Sequence, residues 1–182
     1  NYISFQNSGG SFNTLKNTLL FGTGLLNNHW TLDARLSKIV SDGYIDRASS
    51  DLKSYFVSTT YWGEKSSLRF NIFSGKEKTY QAWYGVPEEL LSTNRTYNPA
   101  GTEKLDNPYE DQVDNYNQTH YQLFYNKEIN KKLQWNTALF TTLGKGYYEE
   151  YKSDVDLADY NIETNGKIWV PTDIVRRRWL DN

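Results

Sequence analysis

Apolar and polar residues alternate with a period of two along most of this chain, a pattern that fits half-buried β-strands and excludes long amphipathic helices. Over residues 29–39, Trp30, Leu32, Ala34 and Leu36 fall on one face, and Thr31, Asp33, Arg35 and Ser37 on the other. The same split opposes Leu68, Phe70 and Ile72 to Arg69 and Asn71 over 67–74. Over 117–129, Tyr121, Leu123 and Tyr125 oppose Gln118, His120, Gln122 and Asn126. Leu133, Trp135 and Leu139 oppose Gln134 and Asn136 over 133–142. Residues 13–23 and 54–62 alternate less cleanly. The reading is about six strands, with a seventh near 174–180. Their connections alternate in length. Residues 24–28, 63–66 and 130–132 read as hairpin turns, whereas 41–51, 75–115 and 144–171 read as long loops. Long loops gathered at one edge of an up-and-down sheet, with tight turns at the other, are the habit of outer-membrane barrels; a loop as long as 75–115 is unusual in a compact soluble domain.

Composition sharpens the question of what covers the apolar face. Apolar residues make up 37% of the 182-residue chain, below the roughly 45–50% of ordinary globular domains, yet it carries 15 Tyr and 6 Trp. Several of these rings lie near the short turns. Phe21 and Trp30 flank the first, Tyr61 and Trp62 precede the second, and Tyr125 and Trp135 flank the third. Amphipathic rings banded at one edge suit a lipid headgroup boundary better than they suit cross-strand pairing in a soluble sheet. The absence of Cys excludes disulfides and thiolate metal sites, and the net charge of −2 argues against a general grip on nucleic acid. No 18-residue apolar run marks a transmembrane helix, while a spanning strand needs only about ten alternating residues. The opening Asn1-Tyr2-Ile3, without Met or a signal segment, reads as a cut from a longer parent.

The loops carry a resemblance. Ser41-Asp42-Gly43-Tyr44-Ile45-Asp46-Arg47, Gly75-Lys76-Glu77-Lys78-Thr79-Tyr80-Gln81-Ala82-Trp83, Asn94-Arg95-Thr96-Tyr97-Asn98, Asp114-Asn115-Tyr116-Asn117-Gln118-Thr119-His120-Tyr121-Gln122-Leu123 and Gly144-Lys145-Gly146-Tyr147-Tyr148-Glu149 occur in that order. Together they resemble the barrel domain of TonB-dependent receptors of Bacteroidetes type, in the branch similar to siderophore and ferric citrate transporters. The resemblance implies an all-β fold of antiparallel up-and-down strands. Residues 1–182 would be part of one large transmembrane β-barrel domain in the outer membrane, with short periplasmic turns and long extracellular loops. Plug, TonB box and remaining strands would lie elsewhere in the parent, and contact with the TonB complex would run through those parts. The expected function is active uptake of a ferric chelate, without catalysis. Cobalamin, haem or a glycan are the alternatives within the family, and a soluble aromatic-rich carbohydrate-binding sandwich is the alternative outside it. An outer-membrane hydrolase would need a Ser–His pair at the lumen rim, which the sequence does not reveal.

The resemblance also implies that loops and upper lumen walls touch the ligand, which selects Arg47, Trp83, Arg95 and Tyr97. Arg suits carboxylate-rich chelates and aromatic rings suit planar ones, although long loops also use such residues to pack on themselves. His120, on the polar face, joins them as a lumen-facing candidate. No cofactor and no metal site is expected. His29 lacks a partner at ligand spacing, and Asp154-Val155-Asp156-Leu157-Ala158-Asp159 lacks the third ligand and the glycine of a calcium loop. Lys16, Asp33, Arg35 and Arg69 are expected to pair across strands or face a plug. Alternation should split Arg176–Arg178 between both faces, which weakens any basic patch.

Overall fold

A computed structural model describes residues 1–162 and 172–182. Eight strands form one antiparallel sheet in sequence order: β1 (Tyr2–Gly10), β2 (Thr14–Gly22), β3 (Trp30–Ser41), β4 (Ser50–Trp62), β5 (Ser66–Tyr80), β6 (Val113–Asn130), β7 (Leu133–Val155) and β8 (Thr172–Asp181). Two short 3-10 turns, Glu88–Leu90 and Leu157–Tyr160, are the only helical segments among the described residues. The all-β, up-and-down expectation therefore stands.

Three details differ from the sequence reading. First, β1 was not anticipated. Its hairpin turns at Phe12 and Asn13, both at positive φ (59° and 52°), with Thr14 N donating to Ser11 O at 3.2 Å. A bulky residue rarely takes that conformation, so no Asn-Gly or Asp-Gly signal marks the turn. Second, β5 runs on to Tyr80, β6 begins at Val113 and β7 continues to Val155, so the connections shrink to residues 81–112 and 156–171. The Gly144-Lys145-Gly146 stretch, which reads as a breaker, is ladder: Gly144 pairs with Gln118 and Gly146 with Tyr116. The Tyr116 ring covers both glycines, and its hydroxyl occupies the space a Cβ on Gly144 would need. Third, two rings depart from the aromatic row: Trp62 alternates onto the polar face, and Phe21 pairs with Ala34, two rows further along the apolar face. Part of the last connection, 163–171, lies outside the described residues.

Register that shifts only between Glu128 and Asn130 and between Lys152 and Val155, among the described residues, turns each face into a stack of transverse rows. On the apolar face, Trp30, Tyr61, Leu68 and Tyr125 share the row nearest the short turns. Beyond it come Leu32, Thr59, Phe70, Leu123 and Leu139, then Phe21, Ala34, Val57, Ile72 and Tyr121, then Phe5, Leu19, Leu36, Tyr55, Ser74 and Leu143. Trp135 lies one step nearer the turns, paired with Lys127. The other face carries Arg35, Ser37, Ser54, Asn71, Gln122 and Asn136, with Phe56, Phe73, Phe124 and Phe140 among them.

Among the described residues, nothing covers the apolar face for most of its height. Ile3, Phe5, Trp30, Leu36, Trp135 and Leu139 on this face are all exposed. Among the described residues, the buried apolar side chains form one small cluster, Tyr80, Ala100 and Val113, with Tyr147 packed against it. The chain exposes 12959 Å², against about 9,100 Å² for a compact monomer of its 21.3 kDa mass. Among the described residues β1 and β8 each have a single neighbouring strand.

Candidate functional site

The polar face holds a groove of about 760 Å³ lined by Lys16, Arg35, Phe56, Phe73, Tyr116 and His120, among others. Alternation delivers all six to one face from β2 through β6. Small residues open the space: Ser37, Ser54 and Gly75 also line it, and no heavy atom lies within 4 Å of where a Cβ on Gly75 would be. Arg35 is exposed and donates through Nε to Ser37 Oγ at 3.2 Å, leaving its terminal nitrogens free. Lys16 is exposed and has no polar partner among the described residues. His120 is held on three sides. Its ring stacks on Phe73 at 4.5 Å and 14°, and its nitrogens lie 3.1 Å from Gln118 Oε1 and 2.9 Å from Thr142 Oγ1. Two available cations beside a rigid aromatic wall suit an anionic, partly planar solute.

The loop candidates are elsewhere. Residues 81–112 fold against the far end of the apolar face, where Tyr80, Val113 and Glu149 anchor them. Asn98, only 1% exposed, is the hub. Its amide nitrogen donates to the Asp46 and Gln81 carbonyls at 2.9 Å each, and its amide oxygen accepts from Ala100 N at 3.0 Å. Arg47, at φ 63°, donates to the Asn98 and Ala100 carbonyls and to the Tyr80 hydroxyl. It clasps residues 42–49 to 81–112 and faces inward. Tyr109 donates to Glu149, which Arg177 also grips. Burial first, and that carboxylate second, push the Tyr109 phenol well above its ordinary value.

Trp83 is 62% exposed and meets Tyr84 edge-on at 6.4 Å. Arg95 is exposed and donates to Leu91 O at 2.8 Å, and Tyr97 is half-buried. No hydrogen bond, ion pair or ring contact joins these three to one another or to His120 among the described residues. The five residues selected from the sequence therefore do not form one site: Arg47 is an internal clasp, Trp83, Arg95 and Tyr97 belong to the loop, and His120 belongs to the groove.

The remaining charges behave as alternation predicts. Asp33 accepts from the Tyr2 hydroxyl at 3.0 Å, and Arg69 donates to Thr60 Oγ1 at 3.3 Å. Arg177 lies on the apolar-face register with Glu149, while Arg176 pairs with Glu150 on the opposite face and Arg178 sits over the Tyr148 ring at 5.5 Å. Asp156 caps the short turn at Ala158 N, and no cluster of three or more His, Asp or Glu suited to a metal occurs among the described residues. Phe56, Phe73 and Tyr116 were missed as groove walls, because aromatics on a polar face look like noise in the alternation. In comparisons with family models, curated proteins and solved structures, nothing matches this chain.

Proposed function

We propose that this chain is part of the wall of an outer-membrane β-barrel, in a TonB-dependent receptor that captures a ferric chelate. One observation carries the barrel reading: among the described residues, a single sheet has an uncovered apolar face while its opposite face is mostly polar. Lipid covers such a face at no cost in hydrogen bonds, provided that every backbone group is paired within the sheet. The row of Trp30, Tyr61 and Tyr125, with Trp135 just beyond, would then lie at the headgroup boundary. Further strands would continue the sheet at β1 and β8, since unpaired edges are untenable in hydrocarbon. The motifs that occur in order between residues 41 and 149, some in loops and some in β5, β6 and β7, favour the TonB-dependent family over other barrels.

The polar face would line the lumen, and Lys16 and Arg35 would meet the carboxylates or other anionic groups of the chelate. The carbohydrate-binding alternative calls for Trp and Tyr gathered on the polar face. Instead Trp30, Tyr61, Tyr125 and Trp135 gather on the apolar one. The test is to fractionate cells bearing the full-length protein and to measure equilibrium binding of ferric citrate and ferric siderophores. The expected result is outer-membrane recovery and binding that weakens about 10- to 100-fold in the Lys16→Gln/Arg35→Gln variant, the worth of one or two charged hydrogen bonds. Recovery in the soluble fraction would refute the barrel. Membrane recovery without chelate binding would redirect the search to cobalamin, haem and glycans.

A further inference from the structure

The sequence scatters Lys38, Lys53, Lys76 and Lys145 over more than a hundred residues, but the register draws them into one row. Lys38 pairs with Lys53, Lys53 with Lys76, Lys76 with Asn117, Asn117 with Lys145 and Lys145 with Asp181. All lie on the apolar face, one step beyond the row of Phe5, Leu19, Leu36 and Tyr55. Eight residues separate this row from the aromatic row at Trp30, about 27 Å along a strand. At a strand tilt near 40° that is about 21 Å of height, close to the apolar band of a barrel wall. The lysines therefore stand where hydrocarbon gives way to headgroups on the long-loop side.

Like charges directly opposite on neighbouring strands repel, and here three consecutive strands carry them in register. Neutralisation from within the chain is partial. Asp51 Oδ2 lies 3.6 Å from Lys38 and 3.7 Å from Lys53, and serves both. Lys76 and Lys145 are exposed and have no ion-pair partner among the described residues. Four lysines set against Asp51 and Asp181 leave a net charge of +2. A groove of about 540 Å³ opens at the same place, with Lys38, Lys53 and Lys76 at one end and Leu19, Leu36 and Phe5 at the other. It is an amphipathic slot, cationic towards the long loops and apolar towards the membrane midplane.

We propose that this slot binds a phosphate-bearing lipid of the outer leaflet, its phosphate between Lys38, Lys53 and Lys76 and an acyl chain along Leu36, Leu19 and Phe5. Charge complementarity selects the anion, and the apolar floor continuous with it selects a lipid over a soluble phosphate. The inference rests on the barrel reading. The test uses the full-length protein, extracted from membranes and reconstituted in bilayer discs of phosphatidylcholine doped with phosphatidic acid, with bound lipid counted by native mass spectrometry. Lys38→Gln, Lys53→Gln and Lys76→Gln are each expected to weaken phosphatidic acid retention about fivefold. Lys131→Gln and Lys132→Gln, in the short turn at the opposite border, are expected to leave it unchanged. Equal retention by all variants, in protein still recovered from the outer membrane, would overturn the lipid site and leave the barrel standing. Displacement by millimolar inorganic phosphate as readily as by lipid would overturn the choice of a lipid. Recovery of the unaltered protein in the soluble fraction would remove the barrel reading and this site together.

Discussion

At the scale of single residues, the side chains that decide most are polar and tie the long loop to its neighbours. Asn98 uses both halves of its amide to join three chain segments, and Arg47 and Tyr80 close the same knot. Removing the Asn98 amide leaves the Asp46 and Gln81 carbonyls without that donor in a buried setting. A buried group left unsatisfied costs about 1–3 kcal/mol. Asn98→Ala is accordingly expected to loosen residues 81–112 by about that amount. Limited proteolysis should show faster cleavage there with strand content unchanged; unaltered cleavage would mean the loop is held by other contacts. The sequence offered Arg47 as a residue on which a long loop could pack, but not its partners, because they come from positions 80 to 100 and nothing in their spacing requires them to meet. The alternating side chains were legible. His120 reached the polar face as its period demanded, and Arg176, Arg177 and Arg178 divided between the faces for the same reason.

At the scale of elements, the strands were visible wherever side chains alternate and invisible wherever the backbone does the work. β3 matched its expected span closely. β7 ran well past its expected end because Gly144 and Gly146 have no side chain to alternate, while the Tyr116 ring supplies the cover they lack. A Cβ on Gly146 would stand 2.2 Å from Asn115 O, which is backbone and cannot turn aside, whereas one on Gly75 would meet nothing within 4 Å. Gly146→Ala is therefore expected to destabilise by about 1–3 kcal/mol, the range of overpacking, and Gly75→Ala to stay within about 0.5 kcal/mol of wild type. Denaturant titration of the two variants in the same detergent would separate them, and equal effects would mean the β6–β7 ladder yields where it looks rigid. The two faces make a second pair. On the barrel reading, Ile72→Arg places a charge on the lipid side, at a cost of about 2–4 kcal/mol near the midplane, while an Arg on the lumen side costs little. Insertion efficiency into liposomes should fall for Ile72→Arg and hold for Gln122→Arg. The reverse order would exchange the faces.

At the scale of the whole molecule, the sheet is a structure without an interior. Among the described residues its one buried apolar cluster lies under the long loop, and the rest of the apolar face is uncovered. In water, a preparation of these 182 residues alone is expected to associate through the two sheet edges and the apolar face, and to disperse in detergent. Light scattering reads this directly, and a stable monomer in plain buffer would count against the membrane-wall reading. The sequence by itself determined the fold class and the side of the sheet on which most residues fall, because a period of two is a local property of the extended backbone; it did not determine the connections, since a tight turn at residues 11–13 shares its edge of the sheet with the long loops. Tertiary structure decided what lies beside what: β1, admitted through a turn with no glycine, the folding of residues 81–112 onto the apolar face away from the His120 groove, and the lysine row. Those depend on register, and register is fixed by pairing between segments far apart in the chain.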